Sequence, residues 1–184
     1  LGEIKSPRRT VWICVFVLLT LLWMSLIYWF SSSNGTESGA FSEKILRKIL
    51  SYAVSGWDRK SSRAQMQYID KLHHLFRKLG HFSEYLILGV FIQTTLMLLV
   101  SVRSAGNKIT HGALLRTTLF SGALCFLYAC SDEFHQRFVA GRSGEFRDVM
   151  IDFSGAVLGV LIILLISLRI QRKKSGAAVI SKEQ

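Results

Sequence analysis

Between Val11 and Phe30 the chain carries no charged residue. A helix needs about 20 such positions to cross the roughly 30 Å hydrocarbon core of a bilayer, and this run supplies them. Trp23, Tyr28 and Trp29 gather toward its C-terminal end, where interfacial aromatics belong. A secretory leader is the competing reading, because Arg8 and Arg9 precede the run and small residues follow it from Ser31 to Gly35. The run is longer than the roughly 7–15-residue core of a leader, and no Ala-x-Ala site follows closely, so an uncleaved anchor is expected. Three more apolar runs follow: Phe82–Val102, interrupted by Glu84; Leu114–Ala129, uncharged after Arg116; and Val149–Leu168, with Asp152 as its one charge. A soluble four-helix bundle would show a polar stripe at each turn. Val157–Leu168 is apolar on every face except at Ser167. The expected fold is therefore all-α: a polytopic membrane protein with four transmembrane helices.

Composition agrees and narrows the classes. Half of the 184 residues are hydrophobic and 19% are charged, which is below the roughly 25% of soluble domains. Disorder is excluded by that apolar content, and collagen-like or proline-rich chains by the single Pro. Cys14, Cys125 and Cys130 sit in apolar surroundings and have neither disulfide-scaffold nor zinc spacing. The 23 Lys+Arg against 12 Asp+Glu give a net charge of +11. These basic residues are divided among loops and tails without interleaved stacking aromatics, so nucleic acid is not an expected partner.

Basic residues also set orientation. Lys5, Arg8 and Arg9 precede the first span, Arg103, Lys108 and Arg116 surround the second loop, and Arg169, Arg172, Lys173 and Lys174 follow the last span. Four spans place all of these on one side, so both termini are expected in the cytoplasm and residues 31–80 and 131–147 outside. The first outer segment is itself basic, from Lys44 to Lys78, although long loops count less. In it Phe41, Ile45, Leu46, Ile49 and Leu50 recur at helical spacing opposite Glu43, Lys44, Arg47 and Lys48, as in an amphipathic helix lying in the interface. Ser31–Gly39, rich in Ser and Gly, reads as a flexible connection. Tyr68, Leu72, Leu75, Phe76 and Leu79 carry a helical period into the second span, and the tail after Lys174 reads as disordered. The expected organisation is residues 1–30, N-terminus and first span; 31–77, outer basic amphipathic segment; 78–168, membrane bundle with a polar cluster; and 169–184, cytoplasmic tail.

Ionisable side chains within such spans cost about 2.5–3.5 kcal/mol each on insertion scales and persist where they line a cavity or pair with one another. Here they form three clusters at one predicted level. In Arg77–Tyr85, the residues Arg77, His81, Glu84 and Tyr85 share a helical face, with Lys78 beside them. In Ser131–Phe138, Asp132, His135 and Gln136 share a face flanked by Glu133. In Gly141–Asp152, Asp148 and Asp152 lie one turn apart, after Arg142 in a Gly-flanked turn and Arg147. Such a mixture is compatible with a self-satisfied polar core. It is equally compatible with an anion site, in which arginine forks match phosphate oxygens, and with acid–base chemistry by His and carboxylates. Two His with several carboxylates can also hold a divalent metal, although neither spacing is a metal signature.

These residues resemble the VanZ-like family: Lys78-x-x-His81, Glu84-Tyr85, Ser131-Asp132-Glu133-x-His135-Gln136-x-Phe138, Gly141-Arg142 and Asp148-x-x-x-Asp152-x-x-Gly155. The resemblance covers about Lys78 to Gly159. Ala140 stands where family members often carry Pro. It implies a small polytopic protein of a bacterial plasma membrane, with a leaning to Gram-positive cells and a role in the envelope; the family's namesake is an accessory factor in teicoplanin resistance. The leading expectation is an outward-facing site for an anionic lipid-linked headgroup, such as an isoprenoid phosphate or a phospholipid. Arg77, Lys78, Arg142 and Arg147 would hold phosphate, helped by Tyr85, Ser131, Gln136 and Asp152. His81, Glu84, Asp132, Glu133, His135 and Asp148 would supply acid, base or orienting groups for phosphoester or headgroup transfer, should chemistry occur. Binding and catalysis need the same residues, so both stay open. The alternative is a noncatalytic protein that binds glycopeptide drug or a cell-wall partner through its basic outer segment.

Overall fold

A computed structural model describes residues 7–104 and 109–180; Lys5 and Lys108, counted in the orientation argument, lie outside them. Five α-helices follow one another: α1 Pro7–Ser32, α2 Gly35–Ala53, α3 Ser62–Arg103, α4 His111–Gln136 and α5 Phe146–Ile180. No strand occurs among the described residues. α1, α3, α4 and α5 are each long and apolar enough to cross a membrane, as expected. With 42 residues, α3 is about 63 Å long at roughly 1.5 Å per residue, twice a hydrocarbon core. Its C-terminal half is the expected second span; its N-terminal half runs beyond it.

α2 folds back on that N-terminal half. Gly56, at φ 69°, reverses the chain, and Trp57 is buried with Leu46, Leu50 and Ile69 in a small apolar core. The rest of the apolar face of α2, including Phe41, Ile45 and Ile49, stays exposed. Such a helix, half seated on protein and half open, has the amphipathic form of an interfacial segment.

Two expectations are corrected. Ser31–Gly39 is not a flexible connection: α1 runs through Ser32 and α2 begins at Gly35. Asn34 caps α2 by accepting the Glu37 N–H at 2.8 Å, and the Gly35 N–H donates to the Ala140 carbonyl at 3.0 Å. The composition was that of a linker, but an N-cap side chain and a backbone clasp from the α4–α5 turn satisfy the polar groups and fix the junction. Beyond Lys174, the backbone continues as helix to Ile180, through the helix-forming pair Ala177 and Ala178.

The bundle centres on α3 and α5, which touch along most of their shared length. Gly155 and Gly159 of α5, spaced Gly-x-x-x-Gly, present bare backbone to α3, and Gly89 of α3 does the same to α5. A Cβ on Gly155 would collide with the Phe82 carbonyl, on Gly159 with the Leu86 carbonyl, and on Gly89 with the Ala156 carbonyl. In lipid, where apolar burial gives helices no reason to associate, such close approach maximises dispersion contact. Lower in the bundle, buried Gln93 accepts from the Ser121 hydroxyl and donates to Thr118 at 3.3 Å. α1, apolar on all sides, is held by two aromatic donors: Trp23 gives its indole N–H to the Glu84 carbonyl at 2.9 Å, and Tyr128 gives its hydroxyl to the Met24 carbonyl at 2.6 Å.

Replacing Gly155 with Val is expected to lower the melting temperature of the detergent-solubilised protein by several degrees and to broaden its gel-filtration peak. Gly122→Ala, at a helical glycine with open space around it, is expected to leave both unchanged or to raise the melting temperature slightly.

Candidate functional site

The C-terminal ends of α1 and α4, the middle of α3, the start of α5 and one side of α2 meet at one end of the bundle. Between α1, α2, α3, the end of α4 and the α4–α5 turn lies a cavity of about 210 Å3. On the α1 and α2 sides its walls mix apolar Ile27, Phe30, Phe41 and Ile45 with Ser31, Ser38 and Ser42, and Phe76 of α3 adds to the apolar part. Its polar side is built by Arg77, His81 and Glu84 of α3, Asp132 of α4, and Arg142 of the α4–α5 turn. A second, mainly apolar groove of about 370 Å3 adjoins it and shares Phe30, Ser38 and Phe41.

Beneath the cavity the carboxylates are packed unusually deep. Asp132, Glu133 and Asp152 are 3%, 4% and 0% exposed. Gln136, buried on the next turn of α4, donates to both Asp132 at 3.2 Å and Glu133 at 3.1 Å, and the Glu145 backbone N–H donates to Glu133 at 3.2 Å. That approach requires Gly144, whose Cβ would strike the Glu133 carbonyl. His81 Nδ1 lies 3.9 Å from Glu84 and 4.0 Å from Asp152, within ion-pair range but without a hydrogen bond to either. The sequence clusters therefore do converge: His81, Glu84, Tyr85, Asp132, Glu133, Gln136, Arg142 and Asp152 meet at one level.

Arg142 holds this end of the bundle together. Its guanidinium donates to the Ser33 carbonyl at 2.9 Å, to the Phe30 carbonyl at 2.9 Å and to the Gln136 side-chain oxygen at 3.3 Å. The first two cap the C-terminal end of α1, where carbonyls run out of helical donors and the Phe30 carbonyl otherwise takes only the Ser33 N–H at 3.3 Å, and the third orients the amide that serves both acids. Burial and the nearby Arg77 cation draw its pKa down from the ordinary arginine value, while Asp132, Glu133 and Glu84 counter them. These bonds use three of its five N–H groups.

Other predicted residues are placed differently. Lys78 is paired with Asp148 at 2.7 Å in a bridge between α3 and α5. His135 points to the end of α1, stacking on Tyr28 at 4.6 Å and meeting the Ser32 hydroxyl at 3.2 Å. The Ser131 hydroxyl is turned back to the Tyr128 carbonyl. Arg147 is exposed. The structure does not bring these last three into the cluster. Among the described residues Arg77 makes no hydrogen bond or ion pair, so it is the cation the cavity keeps unpaired. The α1 and α2 walls of the cavity were not foreseen; the apolar period of α2 and the capping Asn34 were their only signals in the sequence.

Fold and site define a class: a polytopic α-helical membrane protein with a charged cavity at one end of its bundle, walled by an amphipathic helix. The chain belongs to the VanZ/LLP1 family, whose model matches residues 16–167. The match takes in α2 and most of the four spans, well beyond the segment that carries the resemblance in the sequence. No curated protein and no solved structure matches this chain.

Arg142→Ala is expected to lower unfolding stability by on the order of 2 kcal/mol or more, because bonds from a charged donor contribute about 1.5–3 kcal/mol each. Arg147→Ala should be neutral in the same thermal assay, since that side chain is exposed.

Proposed function

We propose that the cavity binds the phosphate of an anionic lipid, with the lipid chain lying in the adjoining apolar groove. The observation that carries this reading is the unpaired Arg77 in a cavity whose lining also includes Phe30, Phe41 and Ile45. A soluble anion needs the cation and has no use for the apolar walls. A lipid headgroup with its first methylenes needs both, and burying methylene groups contributes about 0.8 kcal/mol each. Arg77 and Arg142 supply donors in the planar arrangement that suits phosphate oxygens. His81 and Glu84 line the same cavity and are placed to accept or hand over a proton from a headgroup hydroxyl or amine. Arg8, Arg9, Arg103, Arg116, Arg169 and Arg172 lie toward the opposite end of the spans, so on the positive-inside rule the cavity opens to the outer leaflet.

The test is binding of phosphatidylglycerol and of a polyprenyl phosphate to the purified protein, by native mass spectrometry or lipid titration, with phosphatidylcholine as reference. Arg77→Gln is expected to weaken the anionic lipids about tenfold, the worth of one charge-assisted contact at roughly 1.4 kcal/mol per decade. His135→Ala, outside the cavity, should bind as the parent does. Equal affinity for anionic and zwitterionic lipid, or no effect of Arg77→Gln, would remove the reading.

A further inference from the structure

We infer that Asp132, Glu133 and Asp152 form a binding site for a hard divalent cation of the Mg2+/Mn2+ class at the floor of the cavity. One carboxylate oxygen from each of the three residues lies within 4.8 Å of the others. That is the spread expected of oxygens arranged about one ion at roughly 2.0–2.4 Å.

The independent observation is what these groups lack. Six buried side-chain polar atoms have no hydrogen-bond partner among the described residues, and five of them converge here: both oxygens of Asp152, Oδ1 of Asp132, the Tyr85 hydroxyl and His81 Nδ1. Asp152 and Tyr85 are both 0% exposed. Buried polar groups are nearly always satisfied, and an orphaned set points to an ion or ordered water between them. Donors are present, yet they engage weakly: His81 Nδ1 stands 4.0 Å from Asp152 Oδ1, and the Tyr85 hydroxyl, near enough to Asp132 to interact with it, makes no hydrogen bond of ordinary geometry. The remaining oxygens, Oδ2 of Asp132 and both of Glu133, are already held by Gln136 and Glu145. Those contacts aim the carboxylates without neutralising them, in the manner of groups behind a metal's ligands. Among the described residues no Lys or Arg forms an ion pair with any of the three: Lys78 is bonded to Asp148, and Arg142 bonds to the end of α1 and to Gln136. Three acids at this depth carry a desolvation penalty of several kcal/mol each, which Arg142, acting on Asp132 and Glu133 without bonding to them, offsets only in part, and a divalent ion removes the rest. An all-carboxylate donor set selects Mg2+, Mn2+ or Ca2+ over softer metals.

This site stands whether or not the cavity takes a phosphate, because no lipid enters the argument. The experiment uses the full chain in detergent, stripped with EDTA and titrated with Mn2+, with free Mn2+ read by electron paramagnetic resonance. One ion per chain is expected, together with a rise in melting temperature on Mn2+ or Mg2+ addition. Asp152→Asn and Glu133→Gln should each weaken binding at least tenfold and abolish the thermal shift, whereas Asp148→Asn should leave the stoichiometry at one. In case the substitutions do not fold, the parent protein carries a second readout: Fe2+ with ascorbate and peroxide should cut the backbone near 132–133 and 152. Absence of saturable Mn2+ binding to the folded parent, unchanged binding in Asp152→Asn, or cleavage confined to other segments would overturn the assignment.

Discussion

The close approach of α3 and α5 governs everything else at the polar end of this bundle. Gly89, Gly155 and Gly159 let two backbones meet where any side chain would hold them apart, and in a bilayer that dispersion contact replaces the apolar burial that drives soluble helices together. The same contact fixes rotation and register. It brings Asp152 against His81 and lets Lys78 reach Asp148 across the interface. α4 then adds Asp132 and Glu133 from the side, and the α4–α5 turn returns over them to put Arg142 on the end of α1. A helix that is apolar all round cannot choose its own orientation by amphipathicity, and α1 is such a helix. It is oriented by Trp23 and Tyr128, which bond across the α1 interfaces with α3 and α4, and by the Arg142 clamp.

The charge balance at this end has a clear division of labour. Of the 12 acidic residues, six (Glu84, Asp132, Glu133, Glu145, Asp148 and Asp152) fall between Lys78 and Gly159, the segment that builds most of it. One is neutralised by Lys78, and two share the amide of Gln136. Arg142 is mainly a structural cation, which leaves Arg77 as the cavity cation without a hydrogen bond or ion pair among the described residues. The net charge of +11 therefore says little about the site, whose character comes from acids held where a bilayer would reject them singly.

The spans were legible in the sequence because a bilayer demands about 20 apolar residues in a row and few other structures do. The polar cluster was legible for the complementary reason: His81, Glu84, Asp132 and Asp152 stand out against an apolar background, and helical spacing put them on shared faces. Less visible was which way each of those faces turns. Asp132 and His135 are three residues apart on α4, yet one is buried over α5 and the other stacks on Tyr28 of α1; only the packing of a third helix separates them. Nor does composition tell Ser31–Gly39 from a linker, because the partner that orders it, the Ala140 carbonyl, lies about a hundred positions away in sequence. The Gly155-x-x-x-Gly159 spacing, a packing motif of membrane helices, also went unread in the sequence, although it marks the α3–α5 contact.

We propose that a lipid phosphate sits in the cavity between Arg77, Arg142 and the amphipathic helix α2, and electron cryomicroscopy of the protein in nanodiscs of anionic lipid is the decisive experiment. Tetrahedral headgroup density is expected within hydrogen-bond distance of Arg77, continuous with chain density along Phe30 and Phe41. A cavity holding only solvent, or closed by collapse of α2 onto α3 with Arg77 turned away, would contradict it.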